Sequence, residues 1–314
     1  MKILMTGSTG LIGTALVTAL AGDGQTVCRL IRAESAMAGQ APFAEILGKV
    51  EGFDVAWNPA TEELGGAGVG ADAVVNLAGA SVAGGRWTKG RKELLRTSRI
   101  ETTRALVGAL AKMNVRPRVL VSASAIGIYG DRGDEVLTEE RKPGTDFLTG
   151  LAREWEAEAL KAEALGIRVV LARFGIILAQ HGGALAKMLP PFKLGVGGKL
   201  GSGQQWMSWI TLEDVVGIIR LAIENGTIRG AMNVVAPQAV QNTEFTKVLA
   251  KTLHRPALFP APTFALRLAL GEMADALLLS SQRVKPQALE KLGYRFLHPE
   301  LSAALNSVLQ RQVK

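Results

Sequence analysis

Near the start of the chain, Gly7-Ser8-Thr9-Gly10-Leu11-Ile12-Gly13 follows an apolar run, Ile3 to Met5, and opens a segment of helical period, Leu11 to Leu20. Strand, glycine loop and helix in that order form an anion cradle: one glycine permits the tight turn, a second lets backbone approach a pyrophosphate, and a third lets helix and strand pack closely. The free N–H groups at the helix start complete it. Gly7, Gly10 and Gly13 take those three places, with Thr9, Leu11 and Ile12 between them. The chemistry this predicts is dinucleotide binding. About 20 residues further on, an acidic side chain would hold a ribose 2′-hydroxyl and a basic one a 2′-phosphate. Ile31-Arg32 closes the second apolar run there, which favours NADP over NAD. The alternative is that Arg32 is a solvated surface charge.

The elements needed to carry such a loop are present. Apolar runs at Ile3 to Met5, Thr26 to Ile31, Phe53 to Trp57, Ala73 to Leu77, Val119 to Ser122 and Ile167 to Leu171 alternate with helical segments at Leu11 to Leu20, Lys89 to Met113 and Phe147 to Leu165. Several runs are continuous rather than alternating, as strands covered on both faces are. The expected fold is α/β, a doubly wound parallel Rossmann sheet with a smaller C-terminal capping region. Residues 1–180 would form the nucleotide-binding domain, completed by about 210–240. Residues 181–209 and 241–314 would form the cap, the first of these being rich in glycine and proline and read as loops. Thr211, followed three residues later by Asp214, marks a helix start.

Composition narrows the function classes. With one cysteine and three histidines in 314 residues, neither a disulfide scaffold nor a Cys/His metal site is expected. The net charge of +8 is scattered, so the basic surface is expected to draw anionic small molecules rather than nucleic acid. Neither a membrane span nor a leader segment is read, and the expected location is the cytoplasm.

Further motifs resemble one family. Asn76-Leu77-Ala78-Gly79, Arg86-Trp87, Ser98-Arg99, Ser122-Ala123-Ser124 with Tyr129-Gly130, Arg173-Phe174-Gly175 and Gly201-Ser202-Gly203-Gln204-Gln205-Trp206 resemble the epimerase family of the extended and atypical short-chain dehydrogenases/reductases. Asn233-Val234-Val235-Ala236-Pro237, Lys285-Pro286 and Leu292-Gly293-Tyr294 resemble that family's C-terminal domain of unknown function. The resemblance implies that Leu77 and Ala78 line the adenosine side of the cofactor and that Ile177 touches its nicotinamide end, the alternative for these three being plain core packing; Ile31, Gly79 and Ser122 are read as further cofactor contacts. It also implies a guanidinium from Arg99 on the cofactor, the alternative being an ion pair with Glu93 or Glu101. Family members usually carry histidine where Thr211 stands.

In catalytic members of the wider superfamily a serine and a YxxxK pair move the proton that accompanies hydride transfer. Ser124 fits the serine. Tyr129 and Tyr294 are followed four residues later by Gly133 and His298, and the expected tyrosine and lysine slots fall on Phe147 or Leu148 and on Leu151 or Ala152. The standard dyad is therefore missing. The substitutes that remain are Tyr129, Asp214, and Lys187, Lys193, Lys199 or His181 in the cap, while Gln204, Gln205, Trp206, Ser208 and Trp209 form a cluster suited to a polar ring or sugar. Two functions stay open: an NADP-dependent oxidoreductase or epimerase-like enzyme on a small polar substrate, and a noncatalytic NADP(H)-binding sensor.

Overall fold

The computed structural model describes residues 1–32, 52–65 and 70–310. Its centre is an eight-stranded sheet of β1 (Lys2–Thr6), β2 (Thr26–Arg32), β3 (Gly52–Asn58), β4 (Glu63–Leu64), β5 (Ala73–Asn76), β6 (Val119–Ala125), β7 (Arg168–Phe174) and β8 (Gly230–Val234). In space the order is β8-β7-β6-β5-β1-β2-β3-β4, parallel throughout except for the β3–β4 pair. The order reverses beside β1. A crevice opens there at the carboxyl ends of the strands, where open α/β sheets bind ligands.

Both faces of the sheet are dry, which is why the strands read as continuous apolar runs. Ile3 and Met5 point to one face and pack with Leu16, Val17 and Leu20 of α1 (Leu11–Gly22). Leu4, between them, points to the other face with Cys28, Val74, Leu120 and Leu106. The segment expected as one helix from Lys89 to Met113 is two, α2 (Lys89–Thr97) and α3 (Ile100–Ala111). The break at Ser98-Arg99 has a cause: Ser98 Oγ accepts from Ala80 N at 3.0 Å and the Arg99 guanidinium turns back onto Ala80 O at 2.9 Å, so both side chains hold the loop after β5.

Next along the chain, α4 (Phe147–Leu160) starts on an Asp146 cap that accepts from Thr149 N. Of the glycine- and proline-rich stretch read as loops, Gly183–Lys193 is helical (α5) with Pro190 and Pro191 inside it. Its buried residues Leu185, Leu189 and Phe192 fall on one face, and that burial outweighs the two donors the prolines remove late in the helix. The expected start at Thr211 is observed. It caps α6 (Leu212–Glu224), accepting from Asp214 N at 3.2 Å and donating to Asp214 Oδ2 at 2.8 Å. Beyond the sheet, α7 (Asn242–Leu253), α8 (Thr263–Leu270) and α9 (Leu301–Gln310) belong to the C-terminal part. Leu249, Phe245, Leu301 and Leu305 share a separate apolar cluster there with Leu178, Leu189 and Trp209.

Candidate functional site

A single cavity of about 1090 Å³ runs from the glycine loop, across the ends of β5, β6 and β7, into the C-terminal part. At its first end the three loop glycines divide the work. Gly7 has φ +68°, and a Cβ on it would stand 2.6 Å from the Leu77 carbonyl carbon. A Cβ on Gly13 would stand 2.2 Å from Gly7 O, so this glycine lets α1 close on the loop. Gly10 is different: a Cβ there would meet only Gly7 O, at 3.4 Å, and the residue lines the cavity. Its hydrogen atom leaves room for a ligand rather than for the protein. Gly10 also caps α1 with no side-chain hydrogen bond, leaving the helix start open to an anion.

Leu77, Ala78, Gly79, Leu11, Ile12, Arg99 and Ile177 line the same cavity. Three assigned contacts do not. Thr9 is exposed at the loop tip, Ile31 is buried in the sheet, and Ser122 is fully buried with its hydroxyl accepting from Asn76 Nδ2 at 3.2 Å. Ser122 belongs to a support beneath the site: Thr6 donates to Asn76 Oδ1 at 2.7 Å, while Asn76 Nδ2 and Trp155 Nε1 both donate to Thr103. The backbone of Arg32 ends β2, but its side chain lies outside the described residues.

Arg99 has no carboxylate partner among the described residues, so the ion pair with Glu93 or Glu101 does not form. Its guanidinium lies 5.2 Å from the Trp155 ring and donates to Leu95 O and Ala80 O. Burial, reinforced by the charge of Arg91, pulls it down to about 10. A half-buried guanidinium on a cavity wall, without a carboxylate partner among the described residues, could hold an anion.

The wall beyond it is chemically quiet. From α4, Leu148, Leu151, Ala152 and Trp155 line the cavity, so the tyrosine and lysine positions of the standard dyad carry hydrocarbon. Ser124 also lines it, with its hydroxyl proton donated to Glu156 Oε1 at 2.6 Å. Glu156 is held in turn by a two-pronged ion pair with Arg173, 2.8 Å on each oxygen and nearly solvent-free. Burial works against the Arg173 charge, but Glu156 and Tyr129 more than offset it and hold the guanidinium above the ordinary arginine range.

Tyr129 does not serve as a substitute acid. It is fully buried, donates to Asn233 Oδ1 at 2.7 Å, accepts from Arg173 Nη1 at 3.0 Å and lies off the cavity. Burial raises its pKa despite Arg173, making it a weaker acid still. Nothing in the sequence pattern announced the Ser124–Glu156–Arg173–Tyr129 chain; the one available signal was a glutamate set among the buried residues of α4.

The remaining candidates divide. Lys187 lines the cavity and donates to Ala83 O, whereas Lys193, Lys199 and His181 do not line it. Asp214 is an anchor for the C-terminal segment: buried beside Thr211, it accepts from Leu297 N and His298 N. Of the cluster read as a polar ring site, Trp206 and Ser208 line the cavity, but Gln205 donates to Leu200 O and Leu278 O, and Trp209 is in the core. Among the described residues no group of three or more His, Cys, Asp or Glu is placed to hold a metal ion, and no helix is long and apolar enough to cross a membrane.

Residues 3–234 match the NAD dependent epimerase/dehydratase family. The chain belongs to that family. Residues 261–308 match a domain of unknown function, so this epimerase-family chain carries the expected C-terminal segment as well. An epimerase family protein of Mycobacterium tuberculosis is 40% identical over 310 residues, covering 98% of each chain. The crystal structure of human epimerase family protein SDR39U1 (isoform 2) with NADPH superposes with a TM-score of 0.86 at 31% identity, covering 99% of both chains. UDP-N-acetylglucosamine 4-epimerase from Bacillus cereus shares the fold, with a TM-score of 0.74 at 17% identity over 100% of this chain and 99% of that one.

Proposed function

We propose that this epimerase-family protein binds NADP(H) along the Gly7–Gly13 loop and acts as an oxidoreductase on a small molecule held in the cavity beyond Ser124, in the cytoplasm. The observation that carries the reading is the continuity of the cavity: the same space touches Gly10, Arg99, Ser124 and Ile177 and then runs on into the C-terminal part. The human relative crystallised with NADPH supports the choice of nucleotide. Gly10 and the open start of α1 fit a pyrophosphate, Arg99 offers a second anion contact, and Ala78 and Leu77 offer small and apolar surface to the nucleoside.

When bound, NADPH supplies a hydride. The protein's share is to hold the nucleotide and exclude water with Leu148, Leu151 and Ala152. A mechanism through a tyrosine base is not open to it, because no Tyr, His, Cys, Asp or Glu lines the cavity among the described residues. Any proton needed with the hydride comes from the Lys187 ammonium or from water. The same observation favours a second reading, an NADP(H)-binding protein without turnover.

Titration of NADPH and NADH against the wild type and Arg32→Ala tests the cofactor. Tighter NADPH binding that loses its advantage in the variant upholds it, and binding of neither nucleotide overturns both readings. NADPH oxidation followed against a panel of carbonyl compounds then separates them, since the oxidoreductase turns over and the sensor does not.

A further inference from the structure

We infer that the cap end of the cavity takes an amphipathic anion, a molecule with an apolar body of acyl-chain kind and one carboxylate head, rather than a sugar. The inference names the class of molecule held beside the nucleotide of the proposed oxidoreductase and rests on that reading for its link to hydride transfer, in which a carbonyl on the apolar body takes the hydride and a proton and becomes a carbinol while the carboxylate head is unchanged. It does not rest on it for binding, because the cap-end walls are formed by the protein alone.

Three observations converge. The first is the character of the walls beyond Ile177. Phe192, Phe245, Phe259, Leu270, Met273 and Leu277 face the space, and no carboxylate lines any part of the cavity among the described residues. Methionine adapts to irregular apolar ligands, and apolar walls of this extent favour a hydrocarbon guest.

The second is that four of the polar side chains at this end, Ser208, Asn242, Gln282 and Trp206, are already used, which leaves the Thr246 and Ser280 hydroxyls. Ser208 donates to Gln282 O at 2.7 Å and accepts from Val284 N at 2.9 Å. Asn242 accepts from Leu200 N and donates to the Met207 sulfur, while Gln282 donates to Ile126 O and Gly130 O. Trp206 Nε1 donates to Asp134 at 2.7 Å. A sugar ring entering here would trade water for walls with few free partners, and each hydroxyl left unpaired would cost binding.

The third is the placement of charge. Arg86 and Lys187 line the cavity besides Arg99. Arg86 makes no ion pair among the described residues and lies against Gly271, whose Cβ, if present, would stand 3.5 Å from Nη2. A guanidinium fork suits a carboxylate. The apolar surface also continues outward: Val196 and Phe259 line the cavity and are nonetheless 51% and 61% exposed, and the helix that ends at cavity-lining Leu270 carries exposed Phe264 and Leu268. Exposed apolar surface contiguous with a cavity marks a binding site for an apolar partner or ligand.

The test is calorimetric titration of decanoate, decanol and UDP-glucose into the full chain saturated with NADPH, and into the chain without nucleotide. Decanoate is expected to bind in both states, and Arg86→Ala to weaken it by about tenfold, the loss of one charge-assisted hydrogen bond, while leaving decanol unchanged. Phe259→Ser, at an exposed position that does not threaten folding, should weaken decanoate and decanol together. Preferential binding of UDP-glucose, competition between decanoate and NADPH, or equal decanoate binding by wild type and Arg86→Ala overturns the inference. Loss of NADPH binding with decanoate binding intact would overturn only the cofactor reading.

Discussion

The two walls of the cavity have kept different things. The glycine-loop wall has what a dinucleotide requires: an uncapped helix start, a glycine whose hydrogen faces the ligand space, and a half-buried guanidinium with no counter-charge among the described residues. The facing wall of α4 has hydrocarbon at Leu148 and Ala152, and the acid behind it, Glu156, is turned inward onto Ser124 and Arg173. Holding a cofactor and moving a proton are therefore separable on this fold. The charges of the second wall are paired with one another, while the Arg99 guanidinium of the first meets only backbone carbonyls and the Trp155 ring.

The sharpest way to break that contrast is Glu156→Gln, which leaves Arg173 buried without its partner. It should destabilise the protein by about 3–5 kcal/mol, seen as a lower denaturant midpoint, with NADPH affinity below the transition unchanged. An unchanged midpoint would show that the α4 charges are not structural.

The glycine loop gives a finer cut. Gly13→Ala should cost roughly 1–3 kcal/mol of stability by forcing α1 off the loop. Gly10→Ala should leave the thermal midpoint in place yet weaken NADPH by more than about tenfold, because its methyl group stands where the anion approaches. If both variants lose stability alike, Gly10 serves the protein and not the ligand.

The smallest effect is in pH. Arg99 is charged below about 10, and burial makes that charge unfavourable in the free protein, a cost that a bound anion relieves. NADPH affinity should hold from neutral pH upward and fall as pH rises through about 10, and the fall attributable to this group should be absent in Arg99→Met.

Much of the first wall was legible in sequence, because its chemistry is local: Gly7 to Gly13 is one contiguous loop, and the order of strand, loop and helix declares its use. The missing dyad was equally local, since a YxxxK either occurs or does not. The second wall was not legible. Glu156 and Arg173 sit on α4 and β7, and Tyr129 and Asn233 on separate segments again, so only the folded chain shows that Ser124 gives its proton away and that Tyr129 is sealed in. Ser122 and Ser124, two residues apart on β6, end in unlike places: the first bonds to Asn76 inside the sheet, while the second reaches the cavity. The split between α2 and α3 escaped the helical pattern because Ser98 and Arg99 are compatible with a helix and are recruited away from it by the loop at Ala80.

The short bond from Ser124 to Glu156 has a thermodynamic consequence. A hydroxyl whose hydrogen is already donated to Glu156 can only accept a further hydrogen bond, so it offers lone pairs to whatever stands opposite. An alcohol or an amide can meet that offer, and a ketone cannot. For a redox pair resting against Ser124, the bound equilibrium is tilted toward the alcohol by the worth of one hydrogen bond, about 1 kcal/mol or roughly fivefold.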